Sequence, residues 1–307
     1  MKAWHLATLV AVAGGLFAFA PASTTAVTTS AAPAAVADDG EIYGKLVKER
    51  GDAIVTIKYI LKEEDNEAEE EVQGVMIEES GLVLTSNYFM GGFPESIKQM
   101  MGGNRKPLEI KVMISGDQEG LDATLIARDS ELDLAWLQIT NKDNKKFAFV
   151  DINKPVDAVM GDRVLTIERL SKSNDHAHIV NESRIRSLIT KPRKLAIPGS
   201  ELGTSIGMPV FNGKGEYIGM STLQLPSREE MQADQSSQFA QMRRVRGAMI
   251  LPGEDVVKAT AAAKEQAKSG KPVDEEPAAA PAGPETPAGE AKPEELKPET
   301  PKPESPK

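Results

Sequence analysis

The chain has no cysteine among its 307 residues, so no disulfide can form and its core must be held by packing alone. It has three histidines, one of them, His5, inside the opening apolar run, and its aromatic content is only 5%. It also has no basic stripe with interleaved aromatics, and its net charge is −10; both exclude nucleic acid as a partner. Its one long apolar run, in MKAWHLATLVAVAGGLFAFAPASTTA, is short for a membrane span. The basic start, apolar stretch and small-residue end of this run read as a signal peptide over residues 1–26, cleaved near Ala20–Ala26. The expected localisation is therefore secreted or periplasmic, with no stable membrane span after cleavage; an uncleaved anchor is the alternative.

Low complexity marks both ends. Residues 27–40 read as a flexible Ala/Thr/Ser-rich leader, and residues 271–307 as a Pro/Glu/Lys-rich tail. Proline blocks helix and ladder hydrogen bonds and the charges deny the tail a core, so it is expected to be extended and solvated, either a docking arm or an inert solubiliser. Residues 41–252 remain as one domain, and residues 253–270 read as a closing helix, with Val256, Val257, Thr260 and Ala263 at helical spacing.

Inside the domain the pattern is of short strands separated by turn signals, which favours barrels over a βαβ fold. Strands are expected at Ala53–Leu61, Val72–Ile77, Leu82–Thr85, Ile110–Ile114, Ala123–Arg128 and Leu134–Ile139. A second set is expected at Val164–Glu168, His178–Val180, Ser183–Thr190, Pro209–Asn212 and Tyr217–Leu223. The acidic run Glu63–Glu71 cannot be buried and reads as a solvated hairpin loop; it lacks the spacing of a calcium loop. Gly91–Lys106 is expected to include a short helix, Pro94–Met101, and Arg228–Arg246 a polar loop or frayed helix.

Four motifs then occur in order. Val72–Met90, VQGVMIEESGLVLTSNYFM, resembles the strand-turn-strand unit that carries the catalytic histidine in chymotrypsin-fold serine proteases of the HtrA (high-temperature-requirement) type. Glu131–Ile139, ELDLAWLQI, is similar to the segment bearing the triad aspartate, and Met160–Ile167, MGDRVLTI, to a strand of the second barrel. Gly203–Asn212, GTSIGMPVFN, is similar to the nucleophile loop, followed by Gly215–Met220, GEYIGM. The likeness runs through roughly residues 42 to 225, and no PDZ-like segment follows it.

The resemblance implies an all-β fold of two six-stranded β-barrels, chymotrypsin/trypsin-like, with a C-terminal helix. It places Tyr88 where the catalytic histidine belongs and Asp133 at the triad aspartate. The nucleophile position falls on Ile206 if the loop is anchored on Pro209–Asn212, or on Ser205 with one inserted residue; both registers stay open. Gly203, Thr204, Ser205, Ile206 and Gly207 form the oxyanion loop, in which β-branched Thr204 disfavours a positive φ. A serine is a weak nucleophile until a positioned base takes its proton, and a phenol serves only if its pKa falls by several units from about 10. The remaining histidines, His176 and His178, belong to the other barrel; a His-x-His pair on a strand is a known metal geometry, but no third ligand is evident and a surface loop is the simpler reading.

The expectation is a secreted or periplasmic trypsin-like domain that is catalytically inactive, a pseudoprotease binding a peptide or protein partner, with no cofactor and no metal. Two alternatives remain: an active HtrA-like serine endopeptidase using Ser205, and an envelope spacer or scaffold. The sequence does not fix the oligomeric state.

Overall fold

Twelve strands build the frame of the computed structural model, in which residues 39–63, 66–99, 101–115, 119–141, 145–191, 193–199, 202, 205–224, 248–270 and 273 are described. Helix α1 (Asp39–Arg50) leads into β1 (Ile54–Glu63), β2 (Asn66–Glu78) and β3 (Leu82–Thr85). After the single-turn helix α2 (Glu95–Lys98) come β4 (Lys106–Met113), β5 (Leu121–Asp129) and β6 (Leu134–Ile139). The second group is β7 (Arg163–Arg169), β8 (His178–Ile189), β9 (Leu195–Pro198), β10 (Pro209–Asn212), β11 (Tyr217–Leu223) and β12 (Ala248–Pro252). Helix α3 (Gly253–Ser269) follows. The strands close into two six-stranded antiparallel barrels, ordered β1-β2-β3-β6-β5-β4 and β10-β11-β12-β9-β8-β7. This is the expected all-β fold with its terminal helix.

Alternation sets each strand's facing. In β1, Ile57, Tyr59 and Leu61 point inward while Lys58 and Lys62 stay exposed. The acidic run was expected to be a loop, and this needs correction: residues 66–71 lie in β2, paired with β1. Each lysine of β1 meets a glutamate directly across the ladder, Lys58–Glu71 at 3.5 Å and Lys62–Glu67 at 3.9 Å. A like-charge run is tolerated in a strand when the neighbouring strand supplies the counter-charge and the side chains stay in water. The segments His178–Val180 and Ser183–Thr190 likewise merge into one strand. Asn181 and Glu182 stay in the ladder opposite Thr166 and Leu165 because their polar groups are bonded locally, Asn181 to Glu168 at 2.7 Å and Glu182 to Arg163.

Helix α1, β9 and β12 were not anticipated. Helix α1 starts within the stretch read as leader, buries Leu46, and is fastened to the second barrel by Tyr43, whose hydroxyl donates to Glu182 beneath the Arg163 guanidinium. The closing helix falls where its spacing placed it. Val256, Ala259, Thr260 and Ala263 are buried, and fully buried Trp136 donates its ring N–H to Thr260 Oγ1 at 3.0 Å. None of the described helices is long and apolar enough to cross a membrane.

The barrels are stitched together by polar contacts. The Gln73 side chain bonds both backbone groups of Arg169, at 2.9 and 2.7 Å. The Arg169 guanidinium in turn donates to the carbonyls of Ile54 and Gly51. His178 Nε2 also meets the Gly51 carbonyl, at 3.0 Å, which makes that nitrogen the protonated donor. His178 thus fixes the turn before β1, while His176 sits in a left-handed turn with φ 49°.

Candidate active site

The turn after β3 brings Ser86, Asn87 and Tyr88 against the turn before β6, and Asp133 is their common anchor. Asp133 is buried and adopts a left-handed backbone with φ 58°, a conformation aspartate tolerates better than most residues. Its Oδ1 accepts from Ser86 Oγ at 2.8 Å and from the Tyr88 backbone N–H at 2.8 Å. Its Oδ2 accepts from the Leu223 backbone N–H at 2.7 Å, at the end of β11 in the other barrel. One carboxylate therefore ties the Tyr88 turn to the second barrel. Burial raises the Asp133 carboxyl to about 7, with the bonds from Tyr88, Leu223 and Ser86 partly offsetting that rise.

Tyr88 is held to Asp133 through its main chain, and its ring goes elsewhere. The ring is half-buried and packs edge-on against Phe89 and Phe93, with centroids 6.0 and 5.6 Å away. No described residue hydrogen-bonds the Tyr88 hydroxyl. The hydroxyl that reaches the carboxylate belongs to Ser86, two residues earlier.

On the facing loop, Ser205 points into the second barrel. It is 1% exposed. Its hydroxyl donates to Glu168 Oε1 and accepts from Thr166 Oγ1 at 3.1 Å and Asn181 Nδ2 at 3.3 Å. Its proton and both lone pairs are thereby committed. Its backbone N–H is also spent, on the Leu202 carbonyl at 3.2 Å. Ser205 and Asp133 share no hydrogen bond.

Gly207 marks where the two loops meet. Its φ is +83°, and a Cβ built there would lie 2.9 Å from the Ser86 backbone nitrogen, so only glycine fits. Its N–H donates to Ser221 O at 2.7 Å, and Ser221 N–H returns to Met208 O at 2.9 Å, pinning the loop to β11. Half-buried Ile206 lies between inward-facing Ser205 and Gly207. Gly203 and Thr204, and the segment Arg228–Arg246, lie outside the described residues.

The structure thus gathers Ser86, Tyr88, Asp133, Leu223 and Gly207 at the seam between the barrels and turns Ser205 away. The sequence reading missed Ser86 as the carboxylate's hydroxyl partner and Thr166, Glu168 and Asn181 as the partners of Ser205. The signal for Ser86 was its place in the Thr85–Ser86–Asn87–Tyr88 turn; that for Glu168 and Asn181 lay in the register of β7 and β8, which spacing alone does not reveal. Among the described residues no group of three or more His, Asp or Glu side chains is arranged to hold a metal ion.

Residues 72–220 match the model of the trypsin-like peptidase domain. No curated protein matches the chain. Among solved structures, that of Deg5 aligns with 72% of this chain and 93% of its own, at 15% identity and a TM-score of 0.49, too slight a likeness to bear on function.

Proposed function

We propose that the trypsin-like domain of this chain has lost peptide hydrolysis and serves as an exported binding module for a peptide or protein segment. The observation that carries this reading is the state of Ser205. Hydrolysis needs a hydroxyl that is exposed to substrate and bonded to a base able to take its proton. The Ser205 hydroxyl is buried and saturated by Glu168, Thr166 and Asn181. The register with Ile206 at the nucleophile position fits the same facts, since it makes Ser205 an inward-facing support of the loop and leaves no hydroxyl at the reacting point.

The other half of the site supports the same view. Asp133 has no imidazole to orient, and its acceptors serve the Ser86 hydroxyl and two backbone N–H groups. Oriented this way, the carboxylate braces the seam between the barrels. Without base and nucleophile, an oxyanion loop alone leaves only about 10³- to 10⁴-fold over water, far below a working protease. The binding half of the proposal draws on the retained two-barrel frame, and export draws on the signal-like start of the chain.

Incubation of the purified domain with unfolded casein tests both halves. Association without cleavage is the expected outcome. Cleavage that disappears in Ser205→Ala would overturn the loss of hydrolysis, and failure to associate would overturn the binding role.

A further inference from the structure

The first barrel is closed, but one of its seams is open. Strands β4 and β5 pair only at Lys111–Asp122 and Val112–Leu121. Beyond that point no strand pairing joins Lys106–Ile110 to residues 123–129, although β4 still pairs with β1 and β5 with β6. The cause is local. Glu109 has φ 49°, a left-handed bulge at which the β1–β4 register shifts, and it bends β4 away from its neighbour. The result is a groove of about 710 Å³ between the two strands.

The groove is polarised along its length. The antiparallel register sets Glu109 and Asp122 near the closed apex, where Asp122 is already paired with Lys111 at 2.8 Å. Arg105, Lys106 and Arg128 line the open end. Arg105 is held there by its backbone N–H on the Gly91 carbonyl, at 2.7 Å, and by the face of Phe93, 5.6 Å from its guanidinium carbon. The walls otherwise offer apolar surface from Leu108, Ile110 and Leu125.

The chain's own C-terminal arm starts beside this groove. Helix α3 stops at Ser269, and Gly270, with φ 68°, turns the chain off the helix. Half-buried Val273 then forms part of the groove's lining. The sequence continues Asp274-Glu275-Glu276-Pro277, three acidic residues directly after Val273. We infer that the groove between β4 and β5 is a docking site for an acidic extended segment, and that its resident occupant is the chain's own Asp274–Ala280.

The chemistry agrees with the dimensions. An extended residue advances about 3.3 Å, so seven residues cover the roughly 20 Å run of β5 that lacks a partner on this side. Backbone groups that the β4–β5 ladder leaves unused among the described residues receive an added strand, and the carboxylates complement the cationic end. Pro277 sits at the centre of this segment and lacks an N–H, so the added strand forgoes one ladder bond there. Because the arm is tethered at Val273, it docks at the high effective concentration of an intramolecular ligand, and an external acidic peptide must compete with it.

The absence of cysteine makes a direct test clean. A nitroxide is placed on Ala280→Cys in the full chain, and paramagnetic broadening of backbone amides is measured by NMR. Docking is expected to broaden Lys106–Ile110 and the facing residues 123–128 several-fold more strongly than in Arg105→Glu/Lys106→Glu. Combining that variant with Asp274→Lys/Glu275→Lys/Glu276→Lys should restore the broadening. A profile unchanged by charge reversal would show an arm merely tethered nearby and would overturn the proposal. Broadening of isotope-labelled, nitroxide-free chains mixed with nitroxide-bearing ones would show docking between copies and would overturn the intramolecular occupant.

Discussion

The two barrels contribute to their shared seam in opposite ways. The first keeps its carboxylate, Asp133, aimed at the seam and saturates it with Ser86, the Tyr88 backbone and, from the far side, Leu223. The second keeps a serine in its loop but turns the hydroxyl into its own interior, onto Glu168, Thr166 and Asn181. On the proposed reading, the first half carries Tyr88 where a catalytic histidine would stand within a kept frame, and the second keeps a serine whose hydroxyl faces away from the seam. The proposed loss of hydrolysis therefore rests on composition on one side and on orientation on the other, while the packing between the halves is kept.

The strongest way to break this comparison is to remove the carboxylate that spans both barrels. Asp133→Ala leaves two buried backbone N–H groups and the Ser86 hydroxyl without their acceptor and places alanine at φ 58°. The expected cost is about 3–5 kcal/mol in urea unfolding. A cost below about 1 kcal/mol would show that Asp133 does not brace the seam.

The pH dependence sharpens the same point. Burial holds the Asp133 carboxyl at about 7, above its usual 3.8, so the folded chain binds a proton that the unfolded chain releases. The stability drawn from this group is complete below about pH 4 and is lost as pH rises through 7, at no more than about 1.4 kcal/mol per pH unit. Between pH 5 and pH 8 the wild type should therefore lose stability relative to Asp133→Asn. A constant difference between the two proteins would place the carboxyl's titration elsewhere.

A smaller effect is expected where the loops touch. Gly207→Ala puts a Cβ against the Ser86 nitrogen at a backbone angle alanine resists, for a loss of about 2 kcal/mol. Thermal unfolding would read it, and an unchanged midpoint would separate the loops. The smallest effect is on activity. Tyr88→His with Ile206→Ser should give at most trace hydrolysis of an activated ester, because Ser86 already occupies Asp133 Oδ1. Adding Ser86→Ala should help more than additively, since base and orienting carboxylate act as a unit. Brisk hydrolysis by the double variant alone would show that the Ser86 bond does not keep Asp133 from orienting a histidine.

Most of the frame was legible because it rests on alternation. Leu82–Thr85, Leu134–Ile139, Pro209–Asn212 and Tyr217–Leu223 have the same bounds in the sequence reading and in the fold. The acidic stretch misled because counter-charges come from β1, and a single strand's sequence does not reveal its neighbour. Strand β12 lies after a long polar segment that hides its connection, and β9 is only four residues long. At the site, Tyr88 and Asp133 were readable as positions in motifs. The direction of Ser205 was not, because it depends on Thr166, Glu168 and Asn181 meeting across two strands.

The central claim is that the Ser205 hydroxyl is not available to attack. Intact-mass spectrometry after incubation with a fluorophosphonate probe tests it most directly. The account predicts an unmodified chain at every probe concentration that fully labels an active serine protease. An adduct on Ser205, lost in Ser205→Ala, would contradict it.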